Sequence, residues 1–483
     1  MILEDEFIMW ILGLREWFFN FSIWLNYGSI FCQGQFNNLD FRYHFEQYYH
    51  MNFGSKIKSR GKAFVFWYLM KLAKYRLGHL KADIIGVTGS VGKTSTKDAI
   101  YCVLSRRNHV LRNQKSYNTE FGVLLALLEQ ESGFSSPYLW IETLFQAFKT
   151  AFFGKKDYSK IVIEMGVDKP GDMDVLLKII KPSIGVLTAI KPVHLAEGQF
   201  SNLEEILNEK AKMVKRMGKN EWAILNIDDH YLSLLANSLD ANVITYGTGE
   251  KANIRATDLE SSDDGLRFNL SFDDKTFPVH LPNLIGKHHV YVVLPAIAVG
   301  FLTGFKWETI KAGLDDFRLP PGRFGLIAGM NKSTIIDASY NASPETMLAS
   351  LDVLKDMRPK GIGKRIAVLG NMNELGDLTD SEHRKVGMVV PKCAEMLITV
   401  GESAKLYAEE AIKGGMDKGL VFSFDDAKIA GEFLKAKIKV GDVILVKGSQ
   451  NKVRLERLVK EIMAEPEKAR ELLVRQDGIW DGI

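Results

Sequence analysis

The sequence predicts an α/β protein with two successive parallel-sheet domains behind an unusual N-terminal segment. From residue 83 onward, short apolar strands alternate with longer helical stretches, a pattern typical of a mainly parallel sheet covered by helices. The 483 residues are too many for one ordinary domain. A Pro-Pro-Gly stretch near residue 320 breaks any helix and divides the α/β pattern in two. We therefore predict a central domain at 83–318 and a C-terminal, Rossmann-like α/β domain at 319–483.

Residues 1–82 are predicted to form an atypical, aromatic-rich helical segment. Two apolar runs, at 7–14 and 17–24, are separated by charged residues. Neither reaches the roughly 20 apolar residues of a membrane-spanning helix. Aromatic, aliphatic and basic residues mix again at 63–80. Two interpretations stay open: a helix packed on the next domain, or a peripheral contact of residues 1–80 with an anionic membrane surface.

Composition excludes several classes of protein. The formal net charge of +3 gives no global electrostatic case for nucleic-acid binding. Three widely spaced cysteines form neither a disulfide framework nor a metal-ligand pattern, which fits a reducing cytosol. We expect a cytoplasmic monomer, with the inner face of the membrane as the alternative location.

The central domain is predicted from its apolar runs and one change of period. Buried strands are expected at 83–88, 160–165, 183–188 and 222–226, with helices at 94–105 and 202–217. Between 242 and 281 the apolar residues alternate with a period of two, and Asp-rich turns separate the runs. This pattern predicts a small antiparallel insertion.

The C-terminal domain repeats the strand–helix alternation. Five strands are expected at 334–337, 365–369, 396–400, 420–424 and 443–446. The residues Leu319-Pro-Pro-Gly-Arg323, which precede them, are predicted to act as the hinge.

The most specific signal is the stretch Gly86-Val-Thr-Gly-Ser-Val-Gly-Lys-Thr-Ser-Thr96, between a predicted strand and a predicted helix. Its glycines allow backbone N–H groups to face phosphates, and the helix N-terminus favours negative charge. This predicts a mononucleotide-binding domain in which Lys93 holds the β- and γ-phosphates of ATP and Thr94 ligates Mg²⁺. The predicted ATP contacts in this loop are Gly89, Ser90, Val91, Gly92, Lys93, Thr94 and Ser95.

The loop and six further motifs resemble those of the Mur ligases, in the same order over residues 83–463. The motifs are Ile163-Glu-Met-Gly-Val, Pro192-Val-His-Leu, Pro321-Gly-Arg-Phe, Asp337-Ala-Ser-Tyr-Asn, Leu369-Gly-Asn-Met-Asn-Glu-Leu-Gly and Val446-Lys-Gly-Ser-Gln. The resemblance implies an ATP-dependent amide ligase of peptidoglycan precursor synthesis that works through an acyl phosphate. Within the family it implies a UDP-N-acetylmuramoyl tripeptide and D-alanyl-D-alanine as substrates.

The resemblance also implies a metal site. Glu164 ends a predicted buried strand, where its carboxylate is expected to complete an Mg²⁺ shell with Thr94. His194 matches the family histidine that binds a second Mg²⁺ near the γ-phosphate. The family further uses a lysine carbamylated by CO₂, and Lys210 and Lys212 compete for that role. Lys210 lies within the apolar stripe of the helix at 202–217 and Lys212 lies opposite, so we favour Lys210.

Arg323 in the hinge is expected to reach the γ-phosphate, and it joins Lys93, Lys210 and His194 as a predicted catalytic residue. Polar residues at the carboxyl ends of strands are expected to contact ligands. Asn118 and Asp337 are assigned to ATP. The predicted contacts to the incoming substrate are Asn341, Lys447 and Ser449.

Three functional classes remain open. The ordered motifs favour the ligase, including another amino-acid ligase of the same superfamily. A phosphate-loop kinase or other NTPase would explain Lys93 and Thr94 but leave the C-terminal motifs without a role. A non-catalytic, membrane-associated ATP-binding scaffold is suggested by the aromatic N-terminus and by Ala338 and Asn371, which stand where the family usually has acids.

Overall fold

The structure is a computed structural model that describes residues 54–113, 118–133, 136–155, 157–192, 199–373, 375–450 and 453–476. From Tyr68 onward the described residues form one compact unit, and Met1–Trp67 is assigned to another. Of that first unit the structure describes only residues 54–67, as the first half of a helix. The apolar runs at 7–14 and 17–24 lie outside the described residues.

Helix α1 (Gly54–His79) carries the second aromatic stretch of the N-terminal segment. Its second half packs on the following structure through buried apolar side chains, namely Tyr68, Leu69, Leu72 and Ala73. Buried Arg76 donates a hydrogen bond to the Leu127 carbonyl oxygen at 2.7 Å and pairs with Glu129. Residues 68–79 thus bury one side of the helix, as the packed-helix interpretation expects for this part of the segment. In the described part of the chain, no helix is both long and apolar enough to cross a bilayer.

The larger sheet contains nine strands within the described residues, in the spatial order β2-β3-β1-β4-β5-β6-β7-β8-β9. They are β1 (Asp83–Thr88), β2 (Val110–Arg112), β3 (Lys160–Glu164), β4 (Ile184–Leu187), β5 (Trp222–Asn226), β6 (Asn242–Gly247), β7 (Ile254–Ser262), β8 (Gly265–Phe272) and β9 (Lys275–Leu281). The strands from β2 to β7 in this order pair in parallel, and β7, β8 and β9 are antiparallel. The predicted strands and helices of the central domain are all present.

Helices cover this sheet and connect its parallel strands. They are α2 (Lys93–Leu104), α3 (Glu120–Leu127), α4 (Pro137–Phe153), α5 (Asp172–Ile179), α6 (Leu203–Lys215), α7 (His230–Ala236), α8 (Val290–Leu302) and α9 (Trp307–Asp316). Strands β3, β4 and β5 are buried along almost their whole length, as expected for parallel strands with both faces covered.

The prediction of a small antiparallel insertion at 242–281 is only partly right. Strand β6 pairs in parallel with β5 and β7, so the antiparallel part begins at Ile254. That part continues the main sheet and does not form a sheet of its own. Alternation along one strand reports which face is buried, but it does not report the direction of the neighbouring strand.

The smaller sheet has six strands in the described residues, in the order β10-β11-β15-β12-β13-β14. They are β10 (Gly325–Ala328), β11 (Thr334–Ala338), β12 (Arg365–Gly370), β13 (Met396–Val400), β14 (Val421–Phe424) and β15 (Val443–Lys447). The accompanying helices are α10 (Pro344–Asp356), α11 (Thr379–Gly387), α12 (Lys405–Lys413), α13 (Ala427–Lys435), α14 (Glu456–Ile462) and α15 (Ala469–Leu472). All five predicted strands are present. The sequence analysis missed β10, a four-residue antiparallel edge strand next to the hinge.

The linker at 319–323 is flanked by residues of a hydrophobic core that both domains share. Phe317, Leu319 and Phe324 are buried in a hydrophobic core that includes residues from both sides of the linker. Gly322 has a φ of +72°, a conformation that favours glycine and turns the chain sharply after the two prolines. Arg323 follows this turn, and it lies close enough to Lys93 in the phosphate loop and to Lys447 at the end of β15 that its charge lowers the pKa of both.

Candidate active site

The phosphate loop follows β1 and is held in place by hydrogen bonds to the segment after β4. The Ser90 amide donates to the Ala189 carbonyl at 2.7 Å, and the Ser90 hydroxyl donates to the Lys191 carbonyl at 3.0 Å. Gly89 has a φ of +143°, and a Cβ there would lie 2.0 Å from the Thr188 hydroxyl oxygen. The loop therefore requires glycine at position 89 both for its backbone conformation and for its close approach to β4.

Helix α2 begins inside this loop. Gly92 is its N-cap with a φ of +81°, and a Cβ on Gly92 would meet no atom within 4 Å. The first turn contains no acidic residue, and its backbone N–H groups have no partner within the helix. An open, left-handed glycine at an uncapped helix N-terminus is a suitable place for an anion. The predicted residues from Gly89 to Ser95 are thus brought together in one loop and helix start.

Lys93 lies at the first position of α2, and its ammonium group donates to the Ser90 carbonyl at 3.3 Å. Burial is the largest cause of its lowered pKa. The carboxylates of Glu164 and Asp168 act in the opposite direction, while the guanidinium of Arg323 lowers the pKa further. An anionic ligand beside these two cations would relieve their repulsion and favour the charged form of Lys93.

Glu164 supplies an unpaired oxygen at the carboxyl end of β3. Its Oε1 accepts a hydrogen bond from the side-chain amide of Asn118 at 2.9 Å. Its Oε2 is buried without a hydrogen-bond partner among the described residues. A buried, orphaned carboxylate oxygen next to a phosphate site fits Mg²⁺, a hard cation that takes oxygen ligands.

Thr94, the other predicted Mg²⁺ ligand, is buried in the first turn of α2. In the described part of the chain, no group of three or more His, Cys, Asp or Glu side chains is arranged to hold a metal ion. One carboxylate and one hydroxyl fit the usual mode of Mg²⁺, which completes its shell with phosphate oxygens and water. The predicted ligand His194 lies outside the described residues.

The two candidate lysines of α6 point in opposite directions, as the helical periodicity predicted. Lys210 is completely buried, and its Nζ donates to the Val167 carbonyl at 3.4 Å. Burial, followed by repulsion from Lys93, lowers the pKa of Lys210 to about 7. Lys212 is on the outer side and forms ion pairs with Asp174 and Glu209. Lys210 is thus the amine that faces the phosphate loop.

Arg323 extends from the linker with its guanidinium carbon 4.2 Å from the centre of the Tyr340 ring. This cation–π contact holds the guanidinium over the ring without using its hydrogen-bond donors. Asp337, at the end of β11, accepts a hydrogen bond from the Ser339 backbone amide at 3.1 Å, but its Oδ2 is buried without a hydrogen-bond partner among the described residues. Burial raises the pKa of Asp337 to about 6. A second orphaned carboxylate oxygen therefore lies on the C-terminal side of the site.

The three predicted substrate residues meet at the carboxyl end of β15. The Nζ of Lys447 donates to the Asn341 carbonyl at 2.9 Å, and burial lowers the pKa of Lys447 to about 7. The Ser449 hydroxyl accepts from the Asn373 amide at 2.9 Å and donates to the Ala342 carbonyl at 3.3 Å. The Asn341 side chain is exposed. Of the three, Lys447 and Asn341 offer groups to a ligand, whereas the Ser449 hydroxyl is already used inside the protein.

Several residues that shape the site were not found from the sequence. Asn113 accepts from the Glu164 amide at 3.0 Å and so fixes the end of β3. Asp168 raises the pKa of both Lys93 and Lys210. Glu456 is completely buried between Arg454 and Arg475, and Arg475 donates to the Tyr340 carbonyl beneath Arg323. A polar residue directly after a strand could have indicated Asn113, but nothing in the sequence pairs Glu456 with Arg475.

Two polar side chains near the loop after β12, Asn371 and His383, make contacts within the protein. Asn371 accepts from the Ala404 amide at 2.9 Å and thereby holds the start of α12. The His383 ring accepts from the Met372 amide at 3.0 Å and stacks on Tyr407. The asparagine that replaces a family acid at 371 therefore supports the loop after β12, and the motif residue Glu374 lies outside the described residues.

Comparisons with known proteins agree with this architecture. The chain matches the family models for the Mur ligase middle domain over residues 87–300 and for the Mur ligase, glutamate ligase domain over residues 322–450. The UDP-N-acetylmuramoyl-tripeptide–D-alanyl-D-alanine ligase of Bacillus subtilis is 30% identical over 399 residues, which cover 82% of this chain and 79% of the relative. The ligase of the same name from Synechocystis sp. is 32% identical over 384 residues, with 79% and 75% covered.

Among solved structures, the MurF ligase from Thermotoga maritima in complex with ADP superposes with a TM-score of 0.67 and 25% sequence identity. The match covers 83% of this chain and 84% of that one. These similarities extend through both sheets and the linker between them. The chain belongs to the Mur ligase family.

Proposed function

We propose that this protein is an ATP-dependent, ADP-forming ligase that joins D-alanyl-D-alanine to a UDP-N-acetylmuramoyl tripeptide. The names of its relatives support the substrates. The observation that carries the proposal is the phosphate loop, with the orphaned Glu164 oxygen on one side and the stacked Arg323 on the other. A carboxylate must be activated before an amine can attack it, and phosphorylation by ATP is the activation that this arrangement favours.

In the first step, a carboxylate oxygen of the tripeptide attacks the γ-phosphorus of ATP, and ADP leaves. The N–H groups of the first turn of α2 and the ammonium of Lys93 bind the phosphates. Arg323 adds a fixed positive charge where negative charge accumulates in the transition state. Mg²⁺, held by Thr94 and Glu164, would neutralise phosphate charge when bound. His194 remains the predicted ligand of a second metal ion.

Lys210 would serve as a further anionic ligand for Mg²⁺ once its neutral amine has added CO₂ and released a proton to solvent. Its buried amine has a pKa of about 7, so a large fraction of it is neutral near neutral pH and able to attack CO₂. The resulting carbamate carries a negative charge, which would suit the neighbourhood of Lys93 better than a second ammonium does.

In the second step, the amine of D-alanyl-D-alanine attacks the acyl phosphate, phosphate leaves, and the nitrogen loses a proton. Asn341 and Lys447 lie on the C-terminal side of the linker, where the incoming amine component would bind. Lys447 is buried and its pKa is lowered, so its amine is neutral for part of the time. It therefore repels a positively charged amine less than a fully charged lysine would. Closure of the two domains over the linker would exclude water, which would otherwise hydrolyse the acyl phosphate.

The test is to incubate the protein with ATP, Mg²⁺ and UDP-N-acetylmuramoyl tripeptide and to offer D-alanyl-D-alanine or single amino acids. We expect mass spectrometry to show an amide product only with the dipeptide, in a one-to-one ratio with ADP. The variant Lys93→Ala should lose turnover by at least about 100-fold, whereas Lys169→Ala, an exposed lysine nearby, should keep it. ADP release without an amide product would instead indicate a plain NTPase.

A further inference from the structure

Helix α4 exposes several large aromatic side chains that an ordinary surface helix would bury. The side chains that it buries are small, namely Thr143, Ala147 and Ala151, which follow one another every four residues. Four aromatic residues of the same helix, Tyr138, Phe145, Phe152 and Phe153, are on the other side, whereas Trp140 lies on the buried side next to Gly133. A surface helix normally buries its large apolar residues and exposes its polar ones, so this arrangement needs a separate explanation.

The aromatic residues on the outer side are strongly exposed. The exposed fractions are 74% for Tyr138, 61% for Phe145 and 80% for Phe153. Tyr75 of α1 is 39% exposed and stacks on Phe152 with 4.4 Å between the ring centres. We call this set the aromatic face: Tyr75, Tyr138, Phe145, Phe152 and Phe153. An exposed apolar cluster of this kind marks a surface that contacts something else.

Positive charges border the aromatic face. The Nζ of Lys149 lies 5.8 Å from the centre of the Phe145 ring. Lys74 and Lys71 are exposed on α1 within one turn of Tyr75, and exposed Lys155 follows the end of α4. On α4 and the 68–79 part of α1, Glu142 is the one exposed acid among the described side chains. The face therefore combines aromatic rings with an excess of lysines.

We propose that the aromatic face docks the protein peripherally on an anionic lipid surface. Phenylalanine and tyrosine rings favour the boundary between headgroups and acyl chains, and lysines around them are attracted to anionic headgroups. The outward side of α4, with 17 residues and a length of roughly 25 Å, would lie in the plane of the membrane. This inference goes beyond the proposed ligase activity, because none of these residues belongs to the active site.

A protein partner would use a similar apolar surface, but it would not require the lysine border. The charge pattern is what favours lipid, since each lysine near an anionic membrane contributes about fivefold to the partition coefficient. Binding should therefore depend on the anionic lipid fraction and weaken as the salt concentration rises.

The test is cosedimentation of the full-length protein with vesicles of phosphatidylcholine, with and without phosphatidylglycerol. We expect binding that requires phosphatidylglycerol and falls by at least about tenfold in the triple variant Tyr138→Ser, Phe145→Ser and Phe153→Ser. The matched control replaces three exposed apolar residues elsewhere, Ile362, Leu378 and Ile429, by serine and should bind like the wild type.

A second pair of variants tests the charges. Replacing Lys71, Lys74 and Lys149 by glutamate should reduce binding by at least about tenfold, whereas glutamate at Lys219, Lys418 and Lys435 should change it far less. All variants should keep the ligase activity in solution, which separates this proposal from the proposed function. Absence of vesicle binding by the wild type, or equal binding by the aromatic-face variant, overturns the proposal. The second result would assign membrane contact to other residues.

Discussion

The chemistry of this protein depends on a few buried ionisable groups. The surrounding protein does not give these groups enough hydrogen bonds or opposite charge to offset their burial. Glu164 and Asp337 each have one buried carboxylate oxygen without a partner among the described residues. Lys93, Lys210 and Lys447 are lysines whose pKa values burial lowers. Such groups destabilise a folded protein unless a ligand pairs with them. Their concentration at the loop and the linker is the strongest residue-level argument for a site that binds a metal–nucleotide complex.

The first prediction concerns the two lysines of α6. In ¹³C-bicarbonate, the wild type should show a lysine carbamate signal by ¹³C NMR, because the buried Lys210 amine is neutral more often than an exposed one. The signal should disappear in Lys210→Ala. It should persist in Lys212→Ala, because Lys212 of the wild type is ion-paired and does not react with CO₂. A carbamate that survives in Lys210→Ala would contradict the assignment.

The second prediction concerns Asp337 and pH. Its pKa is about 6 in the folded protein and about 3.8 when unfolded, so between these values the native state binds more protons and stability falls as pH rises. Asp337→Asn should therefore raise the free energy of unfolding by about 1–3 kcal/mol near pH 7.5, with little gain near pH 4. Urea unfolding at both pH values measures this gain.

The control for that experiment is Asp352→Asn, which alters an exposed acid of helix α10. It should leave the unfolding midpoint unchanged at either pH. An Asp337→Asn gain that was equal at both pH values would show that the charge of Asp337 is not its source.

At the scale of single elements, the phosphate loop is the part of the site that the sequence predicts best. Its glycine spacing requires a turn between a strand and a helix, and the structure has that turn between β1 and α2. The inward direction of Lys210 also follows from periodicity. The sequence does not predict the direction of β6, because pairing direction depends on distant strands. The sequence also contains no stripe of large apolar residues that would indicate α4, because the side chains that α4 fully buries are small.

The third prediction tests how the strand ends are held together. A Cβ on Gly166 would lie 2.6 Å from the Cγ of Asn118. The side-chain amide of Asn118 donates the hydrogen bond to Glu164. Gly166→Ala should therefore move Asn118, raise the Mg²⁺ concentration needed for half-maximal rate and lower kcat by roughly 10–100-fold. Gly78→Ala, where a Cβ meets no atom within 4 Å, should change neither quantity. Unchanged Mg²⁺ dependence in Gly166→Ala would argue against Glu164 as a ligand.

At the scale of the whole molecule, the linker carries one cation, Arg323, whose charge acts on residues of both α/β domains. Arg323 affects the pKa of Lys93 on one side and of Lys447 on the other, and the apolar core is continuous around it. The ordered motifs predicted that both regions contribute to one site. Their closeness could not be predicted, because it depends on the packing of Phe317, Leu319 and Phe324 and on the buried Glu456–Arg475 pair under Tyr340.

The fourth prediction is that Arg323→Ala lowers kcat by roughly 100–1000-fold, with a much smaller change in ATP affinity, since the guanidinium acts mainly on charge that develops during transfer. Steady-state kinetics and ADP-binding titrations measure the two effects. Arg318→Ala removes an exposed arginine five residues earlier and should behave like the wild type. A loss confined to ATP affinity would limit Arg323 to ground-state binding.

The central claim is that ATP is spent on making a peptide carboxylate reactive. It is tested most directly by labelling the terminal carboxylate of the UDP-N-acetylmuramoyl tripeptide with ¹⁸O and analysing the released phosphate by ³¹P NMR. An acyl phosphate intermediate predicts that each phosphate carries one ¹⁸O atom from the carboxylate and that its release requires D-alanyl-D-alanine. Unlabelled phosphate, which derives its fourth oxygen from water, would contradict the account.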